Sequence, residues 1–146
     1  MTARNYMSPV VQNVSPRATL KEAAKILFEH DCGMVPVLDG DTVKGVITDR
    51  DVAIIACNRD RPLSELNVGE VVKDQVYSCG PDDDLGTVLG TMTEKQVRRL
   101  LVLSGGSLEG VISFDDLSRA VTAGKLDAAQ FAQALSTISG QPQTAS

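Results

Sequence analysis

Two short segments place a hydroxyl three residues ahead of a carboxylate, each time after Gly-Val-Ile: GVITDRD at 45–51 and GVISFDD at 110–116. In each, the apolar residues read as the end of a strand, and Thr48 or Ser113 stands where a helix begins. Asp51 and Asp116 then fall in the first helical turn, on nearly the same side as the hydroxyl. Unpaired amides and the positive end of the helix dipole make such a junction attractive to anions. A carboxylate has two acceptor oxygens and is able to grip two adjacent hydroxyls, such as the 2′ and 3′ hydroxyls of a ribose. The same residues are also good helix starts, because a hydroxyl N-cap and acidic first-turn residues stabilise a helix by themselves. A single segment of this kind reads as capping. Two at the same register tilt the balance towards a pair of sites, with Gly45 permitting another backbone or a ligand to approach the strand.

Other chemistries find little support. The one histidine, His30, and the three cysteines, Cys32, Cys57 and Cys79, have the spacing of neither a zinc site nor a disulfide framework. The pair His30 and Cys32 reads as a helix end and a small buried thiol. No nucleophile–base pair can be named, so neither catalysis nor a cofactor is expected. A net charge of −5 opposes general nucleic-acid binding, and base-stacking platforms are not expected from five aromatics, Tyr6, Phe28, Tyr77, Phe114 and Phe131, without Trp. A nucleic-acid-associated regulator using the Arg59, Arg61, Arg98 and Arg99 surface is a less favoured reading. No apolar run approaches the roughly 18 residues of a membrane span, and MTARNYMSPV lacks the apolar stretch of a signal peptide. A cytoplasmic protein without membrane contact is the expectation.

The elements that position the two segments follow from periodicity and turn chemistry. Residues 10–14 read as a strand closed by Ser15-Pro16. Thr19 and Glu22 have capping-box spacing, and Leu20, Ala23, Ala24, Leu27 and Phe28 form a helical stripe ending before Gly33. Met34–Leu38 and Thr42–Thr48 read as a hairpin around Asp39-Gly40-Asp41, and Thr48 caps a helix to about Cys57. The order then recurs: a strand near Val76–Cys79, a helix after Asp84 carrying Leu85, Val88, Leu89 and Met92, a hairpin from Leu100 to Ile112, and a helix from Ser113 to about Ala123. Residues 59–67 read as a linker, Val68–Val72 as one helical turn, and Ala128, Phe131, Leu135 and Ile138 as the stripe of a terminal amphipathic helix. The last seven residues, 140–146, read as a disordered tail.

The recurrence is a duplication. Shifting residues 16–53 by 65 positions lays them on 81–118 without a gap, and ten of the 38 positions are identical. Each unit, about 60 residues long, is marginal alone, so two β-α-β-β-α units are expected to fold together, 3–58 and 68–123, with a helix over 124–139.

These repeats, the Gly-hydrophobic-hydrophobic-Thr/Ser-x-x-Asp signature and the Val-Pro-Val strand at 35–37 resemble the CBS (cystathionine-β-synthase) domain, here as a tandem pair over about residues 3–123. The resemblance implies an α+β fold of two CBS repeats related by a pseudo-two-fold axis, with two clefts between them. It implies a regulatory module that takes an adenine nucleotide (AMP, ADP or ATP) or another adenosyl ligand such as S-adenosylmethionine. Asp51 and Asp116 would hold ribose hydroxyls, with Thr48 and Ser113 on ribose or phosphate. The base would lie against Val14 and Met34, Val35 and Pro36 in one cleft, and against Tyr77, Cys79, Leu100 and Leu101 in the other. Arg98 and Arg99 would meet phosphate in the second cleft and Arg50 in the first. Leu101 replaces the strand proline of the first copy, and Phe114 would narrow or line the second cleft, so the clefts are expected to differ in affinity. A homodimer and a separate effector protein complete what the resemblance implies; a structural module that binds no nucleotide is the alternative.

Overall fold

The computed structural model describes residues 1–9, 12–30, 33–72 and 76–139. In chain order the helices are α1 (Ala3–Tyr6), α2 (Leu20–Glu29), α3 (Asp49–Asn58), α4 (Val68–Val71), α5 (Leu85–Lys95), α6 (Phe114–Thr122) and α7 (Ala128–Ser139). The strands are β1 (Met34–Asp39), β2 (Thr42–Thr48), β3 (Ser78–Cys79), β4 (Arg99–Ser104) and β5 (Ser107–Ser113). They form a mixed α and β fold of two packing units, residues 11–76 and residues 1–10 with 77–146.

Both units are built on one hairpin. β1 and β2 pair antiparallel from Met34–Thr48 to Asp39–Thr42, and β4 and β5 pair from Arg99–Ser113 to Ser104–Ser107. The two-residue loops need backbone that glycine supplies: φ is +64° at Gly40, +58° at Gly105 and +85° at Gly106. Each hairpin shifts register at the same place, between Val37 and Leu38 and between Val102 and Leu103, which leaves Lys44 and Glu109 as the extra residues. Side-chain alternation sends Val35 and Val37, or Leu100 and Val102, into the core, with Pro36 or Leu101 on the opposite face.

A third strand is expected in each unit. In the second unit β3 pairs parallel with β4 through Ser78–Leu101 and Cys79–Val102. In the first, Val14 of the expected strand 10–14 makes a parallel bridge with Val37, and Val10 and Val11 lie outside the described residues.

The helices fill the cores. Thr19 accepts from the Glu22 N–H at 3.1 Å, and Leu20, Ala23 and Leu27 of α2 are buried with Val35, Val37, Ile47, Leu66 and Val68. Phe28 departs from the expected stripe and is 87% exposed. At 3.6 residues per turn it lies roughly 80° around the helix from Leu20, off the face that Leu27 continues. α2 also stops at Glu29 with His30 as its C-cap, short of Gly33. In the second unit Leu85, Val88, Leu89 and Met92 of α5 are buried with Leu100, Val102, Ile112 and Leu117. Asp84 stands at the N-cap of α5 without a side-chain capping bond. α7 packs on α5 and α6, burying Ala134 and Ile138, whereas Leu135 of the expected stripe is 40% exposed. The expected tail, 140–146, lies outside the described residues.

The packing units are offset from the sequence repeats, because each unit is closed by the opening segment of the other repeat. Leu20 donates its N–H to the Leu66 carbonyl at 2.7 Å, Val68 to Ala18 at 2.8 Å and Gly69 to Pro16 at 2.8 Å. Residues 65 positions away make the same bonds: Leu85 donates to Met1 at 3.3 Å, Ala3 to Asp83 at 2.9 Å and Arg4 to Pro81 at 2.8 Å. α1 and α4 correspond in this way, and each N-cap donates its N–H to the side chain three residues on, Thr2 to Asn5 Oδ1 at 3.0 Å and Asn67 to Glu70 Oε2 at 2.8 Å. The polar segment 59–67 is more than a connector: Leu66 is fully buried, after a 3₁₀ turn at Leu63–Glu65.

Candidate functional site

Each strand-to-helix junction is fixed by a reciprocal capping box. In the first unit Asp51 donates its N–H to Thr48 Oγ1 at 3.0 Å, and Thr48 donates its N–H to Asp51 Oδ2 at 2.9 Å. In the second, Asp116 donates its N–H to Ser113 Oγ at 3.3 Å, while the Ser113 N–H and hydroxyl both reach Asp116 Oδ2, at 2.8 and 3.1 Å. Both carboxylates therefore satisfy amides that their helices would otherwise leave unpaired.

The second oxygen separates the two sites. Asp51 is half-buried, and its Oδ1 has no hydrogen-bond partner among the described residues. Asp51 lines an open groove whose other walls are Ile47, Ile54, Ile55 and Val71. Asp116 is only 5% exposed, and Arg119 Nη2 is paired with its Oδ1. The first junction thus offers a carboxylate oxygen beside an apolar wall. The second presents a carboxylate engaged at both oxygens.

The remaining residues expected at the sites divide by burial. Val14, Val35, Cys79 and Leu100 lie in the hydrophobic cores. Pro36 and Leu101 are buried on the other sheet face, and Met34 and Tyr77 are half-buried. Met34 is the register partner of Thr48, and Arg99 that of Ser113. Arg99 is exposed beside the second junction, and the Arg98 carbonyl accepts from the Phe114 N–H at 3.0 Å at the start of α6. Arg50 is exposed on the first turn of α3. Tyr77 has Lys95 Nζ 5.8 Å above its ring, within cation–π range.

Phe114 is buried in the core against Phe131 of α7, edge to face at 5.6 Å, so the ring serves to seat the terminal helix. Burial, with a smaller contribution from Asp83, pushes the Cys79 thiol up to about 11, which makes it a packing group and a poor nucleophile. His30 is an exposed helix end; Cys32 lies outside the described residues. Among the described residues no group of three or more His, Cys, Asp or Glu is placed to hold a metal ion, and no helix is long and apolar enough to cross a membrane.

Sequence reasoning missed Arg119 and Ile54. The signal was present: the shift of 65 superimposes them, and each stands three residues after its aspartate, the spacing at which helical side chains meet.

Comparison with known proteins agrees with this architecture. The family model of the CBS domain matches residues 3–58 and again 68–123. Hypoxic response protein 1 of Mycobacterium tuberculosis is 34% identical over 119 residues, which covers 81% of this chain and 83% of that protein. A crystal structure of Hypoxic Response Protein I with two coordinated zinc ions is similar at a TM-score of 0.73 and 32% identity, over 82% of this chain and 98% of the other. CBSX2, solved in complex with AMP, shares the fold at a TM-score of 0.71 and 23% identity, over 86% and 98%. Since the duplicated unit seen in sequence and structure is the one that the family model finds twice, this chain belongs to the CBS domain family and carries two CBS domains in tandem.

Proposed function

We propose that this CBS pair is a non-catalytic, cytoplasmic regulatory module that binds an adenosine compound, of the class AMP, ADP, ATP or S-adenosylmethionine, and signals through an effector protein or a change of oligomer, with a homodimer as the resting form. The observation that carries the reading is Asp51: one oxygen caps its own helix, the other has no hydrogen-bond partner among the described residues, and the residue lines an apolar groove. A ribose hydroxyl needs an acceptor of this kind, and an adenine ring needs an apolar wall. The AMP complex of CBSX2 supports the ligand class. Arg50 would face phosphate at this junction, with Arg98 and Arg99 in the same role at Ser113.

The reciprocal capping bonds favour a second reading, a structural or interaction module in which the Thr/Ser-x-x-Asp signature only starts helices. Titration calorimetry with AMP, ADP, ATP and S-adenosylmethionine decides between them. Hydrogen bonds to a charged group contribute about 1.5–3 kcal/mol, so Asp51→Ala should weaken binding roughly ten- to over a hundredfold. Absence of binding to all four compounds leaves the structural reading, whereas binding with an affinity unchanged in D51A removes the ribose role of Asp51.

A further inference from the structure

We propose that Arg119 acts as a built-in plug at the second junction, so that the chain takes a single adenosine ligand, at Thr48 and Asp51. The inference rests on the nucleotide-binding reading above and specifies which of the duplicated sites performs it.

The argument is an internal comparison. The shift of 65 residues lays Thr48 on Ser113, Asp51 on Asp116, Ile47 on Ile112 and Ile54 on Arg119. Hydroxyl, carboxylate and supporting strand are conserved in kind between the copies, and only the last of these positions changes from apolar to cationic. Ile54 has no donor to offer Asp51, whose Oδ1 has no hydrogen-bond partner among the described residues, and Ile54 forms groove wall instead. Arg119, one helical turn after Asp116, pairs with Oδ1 while the Ser113 N–H and hydroxyl occupy Oδ2. A guanidinium donates but never accepts, and it keeps its proton at any physiological pH. A ribose would have to displace it to reach Asp116, a residue only 5% exposed. The chain thus supplies in cis the donors that a sugar would otherwise provide.

Equilibrium dialysis with labelled AMP, on the full chain, tests this. The wild type should saturate at a single AMP per chain, and D51A should need roughly ten- to over a hundredfold more AMP for that uptake. Arg119→Ile, which installs the residue of the first copy, should gain a second equivalent, and D51A/R119I should retain the gained one. Arg119→Gln, which keeps a long polar side chain but removes the charge, serves the same purpose should the isoleucine variant fail to fold. Two equivalents in the wild type, uptake of wild-type affinity remaining in D51A, or R119I and R119Q still at one equivalent would overturn the role of Arg119 while leaving nucleotide binding intact. Loss of AMP uptake in the Arg119 variants would instead make that side chain a ligand contact and overturn the plug. A wild type that takes up none of AMP, ADP, ATP and S-adenosylmethionine removes the nucleotide reading, and this inference with it.

Discussion

Gly110 lies directly beneath Ser8: a Cβ built at position 110 would stand 2.6 Å from the Ser8 carbonyl oxygen and 3.1 Å from Met7 Sδ. Ser8 exchanges two backbone hydrogen bonds with the next residue, Val111, each at 2.9 Å, so the oxygen is not free to retreat. The glycine of the second Gly-Val-Ile segment is thus explained by the N-terminal segment crossing the hairpin. No ligand is needed to account for it.

Gly110→Ala should therefore destabilise the fold by about 1–3 kcal/mol, the usual cost of forcing an extra methyl into packed structure. Gly90 provides the opposite case. It is exposed within α5, and nothing lies within 4 Å of the Cβ it lacks. Gly90→Ala should stabilise by about 0.5–1 kcal/mol through helix propensity and a less flexible unfolded chain. Urea denaturation of both variants checks the pair, and a neutral Gly110→Ala would mean that the N-terminal segment does not clasp the hairpin.

The two capping aspartates should differ in stability as well as in binding. Removing an N-terminal cap costs about 0.5–2 kcal/mol, and Asp51→Ala should sit near the middle of that range, about 1 kcal/mol. Asp116→Ala takes away more: the Ser113 N–H loses its partner in a half-buried setting, and Arg119 loses its carboxylate. About 2 kcal/mol is expected, discounted from a fully buried pair because the Arg119 side chain is 61% exposed. Chemical denaturation of the ligand-free variants measures both, and equal losses would contradict the buried, doubly engaged carboxylate at position 116.

Much of this architecture was legible in the sequence because duplication supplies its own control. Hairpins, helix starts and apolar stripes recur at the same spacing, and Thr48 and Ser113 fall at helix starts in both copies. The clasp was not legible. Residues 1–6 and 66–71 share no identity under the 65-residue shift, yet they make the same backbone bonds. Main-chain hydrogen bonds constrain side chains only weakly, so Ala3 and Val68 need only be apolar and Arg4 and Gly69 hardly resemble each other. Phe28 escaped for another reason: an apolar residue one step beyond a helical stripe looks continuous with it in sequence, although the helix turns it into solvent. At the junctions, residue types revealed the aspartates, whereas their different fates depended on the third residue of the following turn.

The thiols supply the last test. Cys57 is exposed on α3, whereas Cys79 is buried in β3 and held up to about 11 by burial and, secondarily, by Asp83. The thiolate is the nucleophile, so at pH 8 iodoacetamide should label Cys57 in the folded protein long before Cys79. The same shift bears on stability. A thiol ionising near 9.0 in the unfolded chain and near 11 in the folded one stays protonated longer when folded. Its contribution is therefore complete below pH 9, declines as the pH rises towards 11 and is gone above it, with a total of at most about 3 kcal/mol. Lysines and tyrosines titrate in the same window, so the measured quantity is the difference in unfolding free energy between wild type and Cys79→Ala across pH 8 to 11. That difference should shrink as pH rises, because only the wild type loses the thiol's contribution. A constant difference, together with equal labelling of the two cysteines, would show that Cys79 meets solvent, and the close packing of β3 against β4 would then have to be abandoned.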